Sequence, residues 1–180
     1  MTNTDIDNIQ YARLTMNREP IKAIADILST ELEINSSRVF LMNSLRELPK
    51  DEGVFIVLQE ATFPPFGLKK EYKMVSGVYT EVQSYMTKQR ITISLLSKNT
   101  DARLQKFDIN MALNSTYSQQ VQEQYGFHIS SVNPVSNRSF LEETSRLYRY
   151  DTEATVITAY SRQKAVDYYE VFDDTITIEA

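Results

Sequence analysis

The sequence predicts an α+β fold: a mixed, mainly antiparallel sheet flanked by two or three helices, with a long projecting β-hairpin. Apolar residues recur at helical spacing in two regions, and the apolar runs elsewhere alternate with the period of two that is typical of strands. The chain has 180 residues, enough for one domain with a sizeable core. We therefore treat residues 1–180 as a single domain, with a polar leader over 1–18 that could be mobile.

The composition narrows the possible functions. The chain has no cysteine, which excludes disulfides, thiolate metal ligands and a cysteine nucleophile. Its formal net charge of −5 disfavours nucleic acid as the main ligand, because phosphate binding normally requires clustered Lys and Arg. No apolar stretch is long enough for a membrane span, and the polar start lacks a signal pattern, so we expect a soluble protein without a cleaved signal.

The first third of the chain predicts one helix and one buried strand. Ile21, Ile24 and Leu28 recur at helical spacing behind Pro20, which indicates a helix over 19–33. Residues 39–42 fit either a short buried strand or the start of another helical turn. The apolar run 54–58 predicts a central strand that is buried on both faces. The two prolines within 62–67 then force the chain out of the sheet into an exposed aromatic loop.

The middle of the chain predicts the long hairpin. Residues 71–86 alternate loosely, whereas 90–96 alternate clearly, with Ile91, Ile93 and Leu95 facing one way. We predict two strands joined around 87–89. Their polar content suggests that the hairpin projects beyond the sheet.

A second helical region follows. Asn99 or Thr100 is expected to cap a helix with Leu104, Phe107 and Met111 on one face, and helical spacing continues to Gly126 with a break or bend at 114–116. Residues 127–132 predict a short strand and 133–134 a turn. The polar stretch 139–144 reads as a connection with a helical turn as an option.

The end of the chain predicts a second hairpin, over 147–178. Its first strand alternates over 148–160, a turn is expected at 161–164, and 165–172 with 175–178 would return as the antiparallel partner. One face of the first strand carries an uninterrupted series of seven residues: Tyr148, Tyr150, Thr152, Ala154, Val156, Thr158 and Tyr160.

No pattern in the sequence predicts catalysis. The single histidine, His128, lies between Phe127 and Ile129, and without a G-x-S-x-G motif we interpret it as structural. The adjacent carboxylates at 142–143 and 173–174 are interpreted as solvated turn or edge residues, and Asp5 and Asp7 lack the remainder of a calcium loop. We expect a protein that is not an enzyme and has no cofactor, no metal site and no catalytic residues.

One basic cluster offers an alternative from another class. Lys69, Lys70 and Lys73 lie beside Phe66 and Tyr72, a combination that could stack on single-stranded nucleic acid. The acidic balance of the chain makes a solvated loop or a protein contact the better interpretation.

The order of elements over residues 91–172 resembles the C-terminal half of the bacteriophage neck or tail-terminator family. The similarity lies in the strand Ile-Thr-Ile-Ser-Leu-Leu at 91–96, the helix start Thr-Asp-Ala-Arg at 100–103, the polar link Phe-Leu-Glu-Glu at 140–143, and Leu-Tyr-Arg-Tyr at 147–150, which opens a long strand. The resemblance implies a tail-terminator-like domain.

This resemblance also implies a function. The expected protein is a virion component of the tail or neck, assembled in the host cytoplasm, that forms a ring, typically a hexamer, capping the tail tube. Its expected partners are further copies of itself, the tail tube protein and the head-to-tail connector or neck protein, with the tail sheath as a further candidate and no membrane. A head-completion or tail-tube protein is the alternative within this class.

The aromatic composition indicates where a partner could bind. The chain has eleven tyrosines and no tryptophan, and tyrosine combines a large contact area with a polar end. The residues that we predict at subunit or partner contacts are Phe63, Phe66, Tyr72, Tyr79, Arg149 and Tyr160.

Overall fold

A computed structural model describes residues 13–14, 19–42, 47, 49–142 and 145–166. Within these ranges the fold is α+β with a mixed, mainly antiparallel sheet, as the sequence predicted. The helices are α1 (Pro20–Glu31), α2 (Asp101–Leu104), α3 (Asp108–Leu113) and α4 (Thr116–Tyr125). The strands are β1 (Arg13–Leu14), β2 (Val39–Leu41), β3 (Phe55–Thr62), β4 (Phe66–Val75), β5 (Val78–Ser97), β6 (Phe127–Val132), β7 (Ser136–Asn137), β8 (Phe140–Glu142) and β9 (Ser145–Ala165).

Two long antiparallel strands, β5 and β9, form the centre of the sheet. Their pairing is continuous from Ser97 opposite Tyr148 to Thr80 opposite Ala165. Along the sheet the order is β1-β9-β5-β3-β2, and among the described strands only β2 and β3 pair in parallel. β4 pairs with the first half of β5, whereas β6, β7 and β8 pair with β9.

Helices cover one face of only half of this long pair. Ile91, Ile93 and Leu95 of β5 are fully buried in one core cluster with Ile24 of α1 and Leu113 of α3. We call this part, β5 residues 89–97 with their partners on β9, the helix-covered half. The open half consists of β5 residues 78–87, their partners on β9, and β4. A small second cluster on the opposite face contains Phe40, Phe55 and Leu96.

The first third of the fold matches the sequence prediction. α1 begins at Pro20 and buries Ile21, Ile24 and Leu28. The segment for which two alternatives were open is the strand β2. β3 is an interior strand, with β2 on one side and β5 on the other, and its buried residues lie at its start.

The predicted turn of the long hairpin was wrong. The hairpin is formed by β4 and β5, and its two-residue turn lies at Ser76 and Gly77, both with positive φ (50° and 81°). Residues 87–89 lie inside β5, where they pair with β9. Positive φ at both central residues matches the right-handed twist of paired strands. This short turn is why the loose alternation over 71–86 spans two strands.

The second helical region consists of three short helices rather than one bent helix. Asn99 caps α2 by accepting the Asp101 N–H at 3.0 Å, and the buried Ser97 hydroxyl accepts the Ala102 N–H at 3.1 Å. The Thr100 side chain makes no cap bond. The core side of these helices carries Ala102, Ile109, Ala112 and Leu113. The face predicted from Leu104, Phe107 and Met111 is exposed instead (60–74%). The chain leaves the helical conformation after α2 and after α3, so the helical spacing does not carry over from one helix to the next.

Part of the C-terminal prediction was also wrong. The alternation over 148–160 is confirmed, since Tyr150, Thr152, Ala154, Val156 and Thr158 are all buried. Residues 161–164 do not turn but continue β9, and Val166 still donates its N–H to the Tyr79 carbonyl. The expected return strand does not begin at Ala165, which still belongs to β9, and the remainder of that strand, with Asp173 and Asp174, lies outside the described residues. The stretch expected as a polar connection contains β8, while Glu143 lies outside the described residues.

Candidate partner-contact surface

Four tyrosines form stacked pairs on one face of the open half. The Tyr72 and Tyr79 rings are nearly parallel, with centroids 5.9 Å apart, and Tyr85 stacks on Tyr160 at 5.3 Å. The register places these residues on the same face as Ile91 and its core neighbours, beyond the reach of α1, α3 and α4. We call these four residues the tyrosine face. Tyr72 is half exposed, at 50%.

Polar side chains link the two stacked pairs. Lys70 and Glu81 form an ion pair at 2.8 Å, Gln83 donates to Glu81, and Arg162 donates to Gln83 at 2.6 Å. The hydrogen bond from Lys70 lowers the pKa of the Glu81 carboxyl, and the same contact raises the pKa of Lys70 to about 12. Lys70 also lies 5.2 Å from the Tyr72 ring centroid. These contacts hold the side chains in place before any partner binds, which lowers the entropic cost of association.

Phe63 and Phe66, at the connection between β3 and β4, lie on the face of the sheet opposite the tyrosine face. Phe66 pairs with Met86, and both are exposed (43% and 40%). Phe63 is 36% exposed, and the Arg90 guanidinium lies 5.3 Å from its ring centroid. A left-handed residue, Gly67 with φ of 64°, lies at the irregularity between Phe66 and Lys69. The exposed aromatic loop predicted for 62–67 is thus confirmed, although β4 resumes the sheet from Phe66.

The six predicted contact residues therefore separate into three places. Tyr72, Tyr79 and Tyr160 lie together on the tyrosine face. Phe66, at the start of β4, and Phe63, in the loop before it, lie on the opposite face of the sheet.

Arg149 lies apart, near the start of β9, where it pairs with Asp151 at 2.9 Å and donates to the Ser94 hydroxyl at 3.3 Å. Sequence reasoning missed Tyr85. Its even spacing of six residues from Tyr79 within one strand places both tyrosines on the same face, and this spacing could have identified it.

The basic cluster does not form one surface. Lys70 shares the face of Tyr72, whereas Lys69 and Lys73 pair with Ser84 and Thr80 on the reverse. Lys69 also forms an ion pair with Glu71, and a hydrogen bond from Lys69 lowers the pKa of that carboxyl. A single strand of nucleic acid would meet neighbouring carboxylates on each side.

The histidine does not occupy the apolar position expected of a structural residue. His128 is exposed on β6, while its neighbour Phe127 is buried. It lines a shallow depression of about 350 Å³ with Gln122 and Glu123, and no serine lies among the described lining residues. Across the described part of the chain, no group of three or more His, Asp or Glu residues could hold a metal ion.

Comparison with family models and with curated proteins identifies no relative. No protein-family model matches the chain, and no curated protein matches it significantly. Among the helices of the described residues, none is long and apolar enough to cross a membrane.

Proposed function

We propose that this protein is a structural virion component that forms a ring, caps the tail tube of a bacteriophage and joins the tail to the head-side connector. The observation that carries the proposal is the tyrosine face, a preorganised aromatic surface on a part of the sheet that the described helices leave uncovered. The sequence resemblance over 91–172 is the reason for proposing a phage tail ring, and the tyrosine face is the surface through which copies or partners would bind in that ring.

The hairpin suits a head-to-tail contact between copies. Three residues of the tyrosine face, Tyr72, Tyr79 and Tyr85, lie on one side of the hairpin. Phe66 lies on the other side, with Phe63 in the loop before it, so a neighbouring subunit could bind against either side. Contacts between two different surfaces of the same chain repeat around an axis and close into a ring when the rotation permits. Exposed aromatic residues at such contacts typically contribute much of the binding energy.

Native mass measurement and electron microscopy of the purified chain test the proposal. We expect a discrete oligomer, six copies in the proposed ring, and single-layer rings in the images. Long tubes would favour the alternative of a tail-tube protein. A chain that stays monomeric over a wide concentration range would contradict the proposal.

Three single substitutions show which surface forms the contact. We expect Tyr72→Ala to weaken assembly at least about tenfold, as loss of a contact aromatic normally does. Tyr117→Ala is the matched control, because Tyr117 is also an exposed tyrosine (36%) but lies on α4. Phe66→Ala tests the reverse of the hairpin. If Tyr72→Ala and Phe66→Ala both assemble like the wild type, the hairpin is not the subunit contact.

The alternative of a nucleic-acid-binding module has a direct test of its own. It requires steeply salt-dependent binding of single strands that Lys70→Ala and Lys73→Ala weaken. The division of the lysines between two faces gives this alternative less support than the structural role.

A further inference from the structure

A cationic, aromatic cleft lies at the opposite end of β9 from the hairpin tip. It has a volume of about 420 Å³ and lies between the α2–α3 connection and the start of β9. Arg103 and Lys106 supply its positive charge, and no Asp or Glu is among its described lining residues. Phe107 and Tyr148 supply aromatic surface, and Tyr150, a core residue that is 6% exposed, also lines the cleft. Lys106 lies 4.8 Å from the Phe107 ring centroid and 5.6 Å from that of Tyr150.

Within the described residues, no ion pair neutralises the two cations of the cleft. The seven ion pairs found in the described ranges all involve other Lys and Arg residues, and neither Arg103 nor Lys106 takes part in one. Apolar side chains continue the surface beyond the cleft, since Leu104, Phe107 and Met111 are 74%, 60% and 65% exposed. A ligand that suits this surface carries several negative charges together with aromatic or aliphatic groups.

The chain itself contains such a segment. Residues 167–174 read Asp-Tyr-Tyr-Glu-Val-Phe-Asp-Asp, with four carboxylates, three aromatic rings and no Lys or Arg. The charge and the aromatic content both complement the cleft.

Distance prevents this segment from reaching the cleft of its own chain. Val166 is paired next to Tyr79 at the hairpin end, sixteen residues along the strand from Tyr150. At about 3.3 Å per residue in a strand, that separation is roughly 50 Å. The eight residues 167–174 span at most about 29 Å even when fully extended. A second copy has no such restriction.

We infer that the cleft formed by Arg103, Lys106, Phe107, Tyr148 and Tyr150 binds the acidic aromatic segment 167–174 of a neighbouring copy of this chain. The inference rests on the proposed ring and deepens it. The cleft and the segment are two different surfaces near opposite ends of β9, so each copy can bind one neighbour and be bound by another, which is the arrangement a ring requires.

Crosslinking tests the inference cleanly because the chain has no native cysteine. One full-length chain carries Leu104→Cys, beside the cleft, and a second, of distinguishable mass, carries Thr175→Cys, just beyond the acidic segment. A short bismaleimide is expected to join the two chains. Gln124→Cys, on the exposed side of α4, is the matched control for Leu104→Cys and should give at least about tenfold less product.

Charge reversal tests the chemistry of the contact. Arg103→Glu with Lys106→Glu should lower the crosslinking yield at least about tenfold, and adding Asp173→Lys with Asp174→Lys should restore it. Lys22→Glu with Lys50→Glu, at two other exposed lysines, makes the same change in net charge and should leave the yield unchanged. A chain carrying both cysteines that crosslinks only within itself would overturn the assignment to a second copy.

Two outcomes separate this inference from the proposed ring. Rings without crosslinking between the two sites would overturn the inference and leave the ring intact. If the chain is monomeric, the ring proposal fails, and a labelled peptide of residues 167–174 then decides the pairing alone. Saturable binding to the wild-type chain that Arg103→Glu with Lys106→Glu abolishes supports the pairing, whereas absence of binding overturns it.

Discussion

The two halves of the β5–β9 pair have the same backbone pairing but different side-chain environments. In the helix-covered half the inner face presents Ile91, Ile93 and Val156, which are fully buried under α1, α3 and α4. In the open half the same face presents tyrosines and a chain of polar contacts. Thr87 and Thr158, which lie opposite one another and are both buried, mark the border. A continuous hydrogen-bonded ladder therefore does not by itself determine which part of a strand serves the core and which part serves a partner.

The largest expected difference between the halves concerns two tyrosines on the same face of β9. Tyr150 is 6% exposed in the core, whereas Tyr160 stacks on Tyr85 in the open half. We expect Tyr150→Ala to lower the free energy of unfolding by about 3 to 5 kcal/mol, as for other buried aromatic residues. Tyr160→Ala should lower it by only about 1 kcal/mol, the size of an aromatic pair interaction.

Urea denaturation of both variants measures this difference, and native mass provides the second readout. Tyr160→Ala should impair assembly out of proportion to its loss of stability. Equal losses of stability in the two variants would mean that the open half belongs to the same cooperative core.

An intermediate difference is expected at two glycines with left-handed backbones. Gly77 (φ 81°) forms the hairpin turn and Gly126 (φ 70°) ends α4, and an added Cβ would contact nothing within 4 Å at either site. Alanine at each position therefore introduces only backbone strain, about 1 to 2 kcal/mol. Gly126→Ala should reduce global stability by that amount. Gly77→Ala should mainly open the hairpin tip, because a peripheral hairpin can open without global unfolding.

Native-state hydrogen exchange distinguishes the two effects. In Gly77→Ala, faster exchange should be confined to the amides of β4 and the start of β5. Faster exchange of the β5 amides at 91–95 in that variant would contradict the independence of the two halves.

The smallest expected effect is on pH dependence. The hydrogen bond from Lys70 lowers the pKa of Glu81. The contribution of the Glu81 carboxylate to the free energy of unfolding is therefore present above the ordinary carboxyl pKa of 4.5 and is lost as the pH falls through the lowered value. The pKa of Lys70 is raised to about 12, so its contribution is present below 10.5 and is lost as the pH rises through about 12. Lys70→Met should bring the pKa of Glu81 back toward 4.5.

A carboxyl titration followed by NMR measures this change. Asp51 is the control near the helix-covered half: a hydrogen bond from Arg38 lowers its pKa, and Lys70→Met should leave that pKa unchanged. If the pKa of Glu81 is the same with and without Lys70, the polar link across the tyrosine face does not form in solution.

Local sequence patterns predicted the elements whose neighbours in the chain fix their conformation. Pro20 and the spacing of Ile21, Ile24 and Leu28 predicted α1, and Gly126 predicted the end of α4. The alternation of Ile91, Ile93 and Leu95 predicted their common buried face. In each case the periodicity of a single element, or a residue with restricted or unusual φ, was sufficient.

Errors arose where the local pattern was ambiguous or where the conformation depends on distant residues. The turn at Ser76 and Gly77 was missed because the alternation continues across it, and β9 was ended too early at 161–164 although β1 and β5 extend its pairing to Arg162 and beyond. The cleft was missed because Arg103 and Lys106 meet Tyr148 and Tyr150 across more than forty residues of chain. No local pattern encodes that meeting.

The sequence by itself determined the fold class, the absence of cysteine chemistry, the tyrosine-rich alternation of β9 and the acidic aromatic composition of 167–174. Only the tertiary structure decided which tyrosines lie in the core and which are stacked in the open, because burial depends on where the helices lie over the sheet. It also decided that Tyr72, Tyr79, Tyr85 and Tyr160 share a face, since strand register is fixed by pairing between residues far apart in the chain.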